Sequence, residues 1–163
     1  MLKNIKINRN IKKTKVRFPD VFGGFEKVAA IKRIFGRNTK RVLSNLVVEL
    51  PRSPRWNYMW INDKKGTLVI SHKYLKKADE MYLYLDAVHE LTHIKQYMDR
   101  RELFEEKYEY VDRQTEIEAY SAAAKEAKRL KMSRRWILKY LEMPGWLDQD
   151  SMLFKKLCKN IGM

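Results

Sequence analysis

The chain has 163 residues, a length that fits one domain with an ordinary core, and its 45% hydrophobic content argues against disorder. No apolar run reaches the roughly 18 residues that cross a bilayer, and the single cysteine, Cys158, excludes an internal disulfide and a multi-cysteine metal cluster. The net charge of +15 leaves a polyanion such as nucleic acid as a candidate partner, although a solvated basic surface has the same composition.

Residues 1–17 carry seven Lys or Arg and no acid. They read as a basic arm suited to phosphate contacts, as an ordered edge strand or as a loose tail. The stretch lacks the apolar core and cleavage site of a signal peptide, so the expected location is the cytoplasm. A helix is expected from Asp20 to Gly36, with Phe25, Val28, Ala29 and Ile31 sharing a face and Gly23 and Gly24 weakening its first turn. Three short strands follow, at 45–50, 57–62 and 67–72. Pro51 ends the first, and "DKKG" joins the other two as a hairpin. Together they are expected to form one small antiparallel sheet.

The remainder is helical in pattern. The segment "DEMYLYLDAVHELTHIKQYMD" opens with acids and carries an apolar stripe of Leu83, Ala87, Val88, Leu91 and Ile94. A second helix spans about Asp112 to Leu130. A third starts after Ser133 and ends at Pro144 and Gly145, and a last short one covers 149–160. The fold class is α+β, in a single domain spanning 1–163: an N-terminal helix, a small three-stranded sheet and a helical half.

Within the first of these long helices lies "HELTH". A spacing of four puts His89 and His93 on one helix face, where two imidazoles can share one Zn²⁺. Glu90 lies about 100° round the helix, within reach of a water on the metal but outside the ligand set, as a general base requires. With three histidines and twelve glutamates in the chain, chance yields H-E-x-x-H in roughly a few per thousand such sequences. A catalytic zinc needs a third protein ligand. No histidine follows the motif, so a carboxylate must serve, and "RQTEIEAYSAAAKEA" offers Glu116 and Glu118.

In these residues the chain resembles the gluzincin zinc metallopeptidases, which carry H-E-x-x-H on one helix and a ligand glutamate on the next. Over residues 45–130 the short length and element order are similar to the minigluzincins, and the "E-x-E-A" pattern also resembles the ImmA/IrrE metallopeptidases. Residues 1–44 and 131–163 lie outside the resemblance. It implies a zincin-like fold, a zinc cofactor, a peptide or protein substrate, Glu90 as the catalytic base and Glu116 as third ligand, with Glu118 in reserve. Tyr120 stands where the family has an aspartate that supports a ligand histidine, and Asp86 is an alternative acceptor for that hydrogen bond. Tyr108, Tyr110, Tyr120 and His72 are the candidate oxyanion donors, and a structural role is the other reading of His72. An edge strand is expected to carry the substrate, with Trp56 and Trp60 as candidate pocket walls and hydrophobic packing as the other role open to Trp60. From a C-terminal tail, Asp148, Asp150 or Cys158 can in principle reach the metal, against the commoner outcome of an amphipathic helix packed on the domain. The second functional reading is a basic nucleic-acid-associated protein with a structural or degenerate zinc site, or a protease acting on nucleic-acid-bound proteins.

Overall fold

The computed structural model describes Leu2, residues 4–142 and residues 151–163. In chain order the elements are β1 (Lys6–Ile7), β2 (Lys15–Arg17), α1 (Phe18–Val21), β3 (Phe22–Gly23), α2 (Ala29–Phe35), α3 (Thr39–Asn45), β4 (Val47–Glu49), β5 (Met59–Asn62), β6 (Thr67–Ile70), α4 (His72–Lys77), α5 (Glu80–Met98), α6 (Gln114–Arg129), α7 (Arg134–Leu141) and α8 (Met152–Asn160). The class is α+β, as expected.

The N-terminal third departs from the single helix expected over Asp20–Gly36. It is broken into α1, β3, a 3₁₀ turn at Phe25–Lys27 and α2. Gly24 is the physical reason. It sits at φ +89°, and a Cβ there would strike the carbonyl oxygen of Asn4. The break lets Phe18, Phe22 and Phe25 form an aromatic cluster with centroids 5.0–5.3 Å apart, and Phe25 in turn packs on Tyr84 of α5.

The sheet has four strands rather than three and is mixed rather than antiparallel. Its order is β2-β4-β6-β5. β2 and β5 run antiparallel to their neighbours, while β4 and β6 are parallel, with Val48 opposite Leu68. After β4 the chain crosses over residues 50–58, which hold Pro51 and Pro54, and returns as the β5–β6 hairpin with β5 outermost. Prolines that cannot donate to a ladder favour such an excursion over a tight hairpin. Leucine 68, Ile70, Met59 and Val48 turn inward and are fully buried.

The basic N-terminal stretch is not a loose arm. Lys15–Arg17 is the edge strand β2, and β1 pairs with β3. Two of its cations close helix ends, where unpaired carbonyls attract positive charge. Arg9 Nη1 donates to the carbonyls of Leu75, Lys76 and Ala78 at 2.8–3.1 Å, and Arg17 Nη1 donates to that of Asn45 at 2.6 Å.

α5 is the central helix. Asp79 caps its N-terminus, accepting from the Met81 amide at 2.8 Å. Every residue from Leu83 to Leu91 is buried, so the single apolar stripe read from the sequence understates its environment. Burying Leu83, Leu85, Val88 and Leu91 stabilises the fold by about 1.5–3 kcal/mol each. The same position forces Asp86, His89 and Glu90 out of water, so each needs a partner. α6 packs on α5 more extensively than any other described pair of elements, through a stripe of Glu116, Ala119, Tyr120, Ala123 and Ala127.

α8 is an amphipathic helix docked on the domain. Asn160 Nδ2 donates to Val111 O at 2.9 Å, and Phe154 and Leu157 are buried. Its observed N-cap is Ser151; the expected start at 149, the expected stop of α7 at Pro144 and Gly145, and both Asp148 and Asp150 lie outside the described residues. Among the described residues no helix is long and apolar enough to cross a membrane.

Candidate metal centre

α5 and α6 bring three side chains to one point. The Nε2 atoms of His89 and His93 lie 3.1 Å apart, and Glu116 Oε2 lies 3.4 Å from the first and 3.5 Å from the second. Four ligands placed tetrahedrally at 2.0–2.1 Å from an ion stand about 3.3–3.4 Å from one another. The observed edges of 3.1, 3.4 and 3.5 Å bracket that spacing. All three residues are buried, and among the described residues they are the one His/Cys/Asp/Glu group with metal-ligating geometry.

The chemistry of the donors argues the same way. Glu116 Oε2 is buried without a directed hydrogen-bond partner, although it faces both imidazoles. Such an orphan is costly unless an ion or water satisfies it. Two imidazole nitrogens and a carboxylate oxygen converging in a buried space suit one divalent cation, and this cluster can hold a metal ion.

Without metal, the three groups share charge. Burial pushes the His93 imidazole down, but Glu116 and then Glu90 outweigh it, and its pKa rises to about 9. For Glu116 burial acts upward, yet both histidines hold it well below the usual carboxylate range. Burial dominates at His89 and lowers its pKa. In the absence of metal these effects favour a proton on His93 and a negative charge on Glu116.

Glu90 stands beside the triangle, its Oε1 4.0 Å from His89 Nε2 and outside the ligating group. Burial raises its carboxyl to about 8, opposed by the charge of His93 and by the Ile61 backbone amide on β5. It can thus accept or carry a proton near neutral pH.

The two candidate third ligands separate cleanly. Glu116 faces the histidines; Glu118, two residues on, points away into a bidentate pair with Arg101 at 2.5 and 3.2 Å.

Neither proposed support for His89 is used. Asp86 accepts instead from the hydroxyls of Tyr74, Tyr140 (3.2 Å) and Tyr58 (3.4 Å). Helical side chains lean towards the N-terminus, so a carboxylate three residues before His89 leans away from it. Tyr120 meets the His89 ring in a T-shaped pair with centroids 4.4 Å apart, and its hydroxyl meets that of Tyr110 at 3.0 Å. His89 Nδ1 has no hydrogen-bond partner among the described residues.

Of the candidate oxyanion donors, Tyr110 lines the cleft beside the triangle. His72 does not. It opens α4 rather than closing a strand, and its Nε2 sits 3.0 Å from Ile11 O, a structural contact. Tyr108 is exposed, with the Lys107 ammonium 4.9 Å over its ring. Cys158 is buried in α8, outside the ligating group.

The centre opens into a cleft of about 780 Å³, walled by residues 55–61 together with Tyr74, Phe104 and Tyr110. Trp56 and Trp60 meet edge to face at 5.7 Å on that wall, and the Arg55 guanidinium lies 5.5 Å over Trp56. β5, one of the two edge strands, lines the cleft through Met59, Trp60 and Ile61, and the Ile61 backbone amide faces Glu90.

Sequence reasoning missed Gln96. It is buried, and its Oε1 lies 2.8 Å from His93 Nδ1. The available signal was its position three residues after His93, on the same side of the helix. Compared with known proteins, the chain matches no family model, no curated protein and no solved structure.

Proposed function

We propose that this chain is a zinc-dependent peptidase of the gluzincin type, with a zincin-like fold. The observation that carries the reading is the buried triangle of His89, His93 and Glu116 with edges of 3.1–3.5 Å, flanked by the carboxyl of Glu90. His89, His93 and Glu116 hold the ion. Zinc, when bound, supplies a Lewis acid that polarises a carbonyl and makes water a nucleophile near neutral pH.

The protein's own groups do the rest. Glu90 takes the proton of the attacking water and passes it to the leaving amine. The hydroxyl of Tyr110, steadied by Tyr120, donates to the carbonyl oxygen as negative charge develops there. The edge of β5 that no strand pairs with among the described residues aligns an extended peptide by strand addition, and Trp56 and Trp60 offer apolar contact to its side chains.

A Glu90→Gln variant tests the reading. It should keep its zinc while hydrolysis of an unfolded protein such as casein falls by about 10²–10⁴-fold. Cleavage by the variant at the wild-type rate would refute the peptidase assignment.

A second reading, association with nucleic acid, rests on the net charge of +15. Duplex binding that weakens steeply with salt would support it; no binding at low salt would remove it.

A further inference from the structure

Gln96 fixes the chemical form of a metal ligand. Its side chain is buried and makes three contacts, to Thr115 O at 3.0 Å, to Glu118 Oε2 at 2.9 Å and to His93 Nδ1 at 2.8 Å. The oxygen and nitrogen of a glutamine amide are told apart only by what surrounds them. Here the surroundings decide. A backbone carbonyl can only accept, and a carboxylate paired with Arg101 can only accept. The NH₂ group must therefore face Thr115 and Glu118, which leaves Oε1 facing His93. An amide oxygen cannot donate, so His93 Nδ1 carries the proton. In the neutral ring Nε2 then presents a lone pair, and Nε2 is the atom that faces Glu116 and His89.

We propose that Gln96 is the positioning residue that sets the tautomer and ring orientation of His93 for the metal, with Thr115 and the Glu118–Arg101 pair as its anchor. The anchor is itself held. Thr115 Oγ1 donates to Leu103 O at 2.9 Å, and the Arg101–Glu118 pair reaches the surface with both side chains about one-third exposed. Thr115 also immediately precedes Glu116. The Gln96–Thr115 bond thus ties the turn carrying the third ligand to the helix carrying the first two. Among the described residues His89 Nδ1 has no such partner, so the outer support they provide falls on His93. Glu118, left over as a ligand, acquires a role here as the acceptor that keeps the Gln96 amide from turning round.

The inference rests on the zinc reading above, and its test keeps the two apart. Zinc affinity and the visible spectrum of the Co²⁺-substituted chain are compared between wild type and Gln96→Met, which keeps the bulk and loses the acceptor. Loss of an outer hydrogen-bond partner weakens metal binding about 10–100-fold. That loss, with a changed Co²⁺ spectrum, is the expected result; a merely space-filling residue would move neither. Wild-type affinity and an unchanged spectrum in Gln96→Met would overturn the role of Gln96 while leaving the zinc site intact. Failure of the wild type to bind zinc would overturn both. If Gln96→Met does not fold, the ¹⁵N shifts of His93 in the zinc-loaded wild type decide. Zinc on Nε2 with a slowly exchanging proton on Nδ1 supports the assignment, and zinc on Nδ1 overturns it.

Discussion

The Nε2 atoms of His89 and His93 face each other at 3.1 Å across one turn of a largely buried helix. Two imidazoles kept this close in a buried space must share a proton or a metal, because two bare lone pairs repel. Without metal, Glu116 favours a proton on His93 by raising its pKa. Metal and proton therefore compete for one position.

This competition predicts a pH dependence. The pKa of His93 is raised to about 9, so below pH 9 a proton must leave before the nitrogen can ligate. Zinc affinity should rise by about tenfold per unit between pH 7 and pH 9 and flatten above, if His93 alone controls it. Chelator competition across that range measures the slope. At pH 7, calorimetry in buffers of different ionisation enthalpy should report at least one proton released; an affinity independent of pH would contradict the picture.

Tyr110 gives a kinetic prediction. Tyr110→Phe removes the hydroxyl that lines the cleft and meets Tyr120 at 3.0 Å, while the ring stays. Loss of one oxyanion donor should lower kcat by about 10²–10³-fold with little change in KM or zinc content. A variant with an unaltered kcat would assign the hydroxyl to packing alone.

The fit of α6 on α5 gives a stability prediction. Ala123 is fully buried, two turns beyond Glu116 on the same stripe. Ala123→Leu should overpack that contact and cost about 1–3 kcal/mol in denaturant unfolding. Because the two helices carry the ligands, zinc affinity should fall as well. A variant as stable as the wild type would place Ala123 against a yielding surface.

What the sequence made legible was mostly local. His89, Glu90 and His93 are spaced within one helix, so periodicity alone puts the histidines on one face and the glutamate beside them. Glu116 could be named with Glu118 as an alternative, because the two differ only in which face of α6 they occupy, and the packing of α6 on α5 settles that. Non-local relations were not legible. β2 is three residues, Lys15–Arg17, too short for alternation to stand out from a run of basic charge. The parallel pairing of β4 with β6 depends on where the chain returns after residue 58. Asp86 read as a partner for His89 by sequence distance, but its hydrogen-bond donors come from residues 28, 12 and 54 positions away. Gln96 carries no motif at all. Its role follows from the orientation of one amide, fixed by residues on another element.

Metal content is the most direct test of the central claim, that His89, His93 and Glu116 together hold one zinc. The purified chain, reconstituted with zinc and passed free of excess metal, should carry about one ion, and His89→Ala and Glu116→Ala should each lose most of it. Glu118→Ala should retain the ion, since Glu118 points away to Arg101. A wild-type chain that retains no zinc under these conditions, or a Glu116→Ala variant that holds it as tightly as the wild type, would contradict the account.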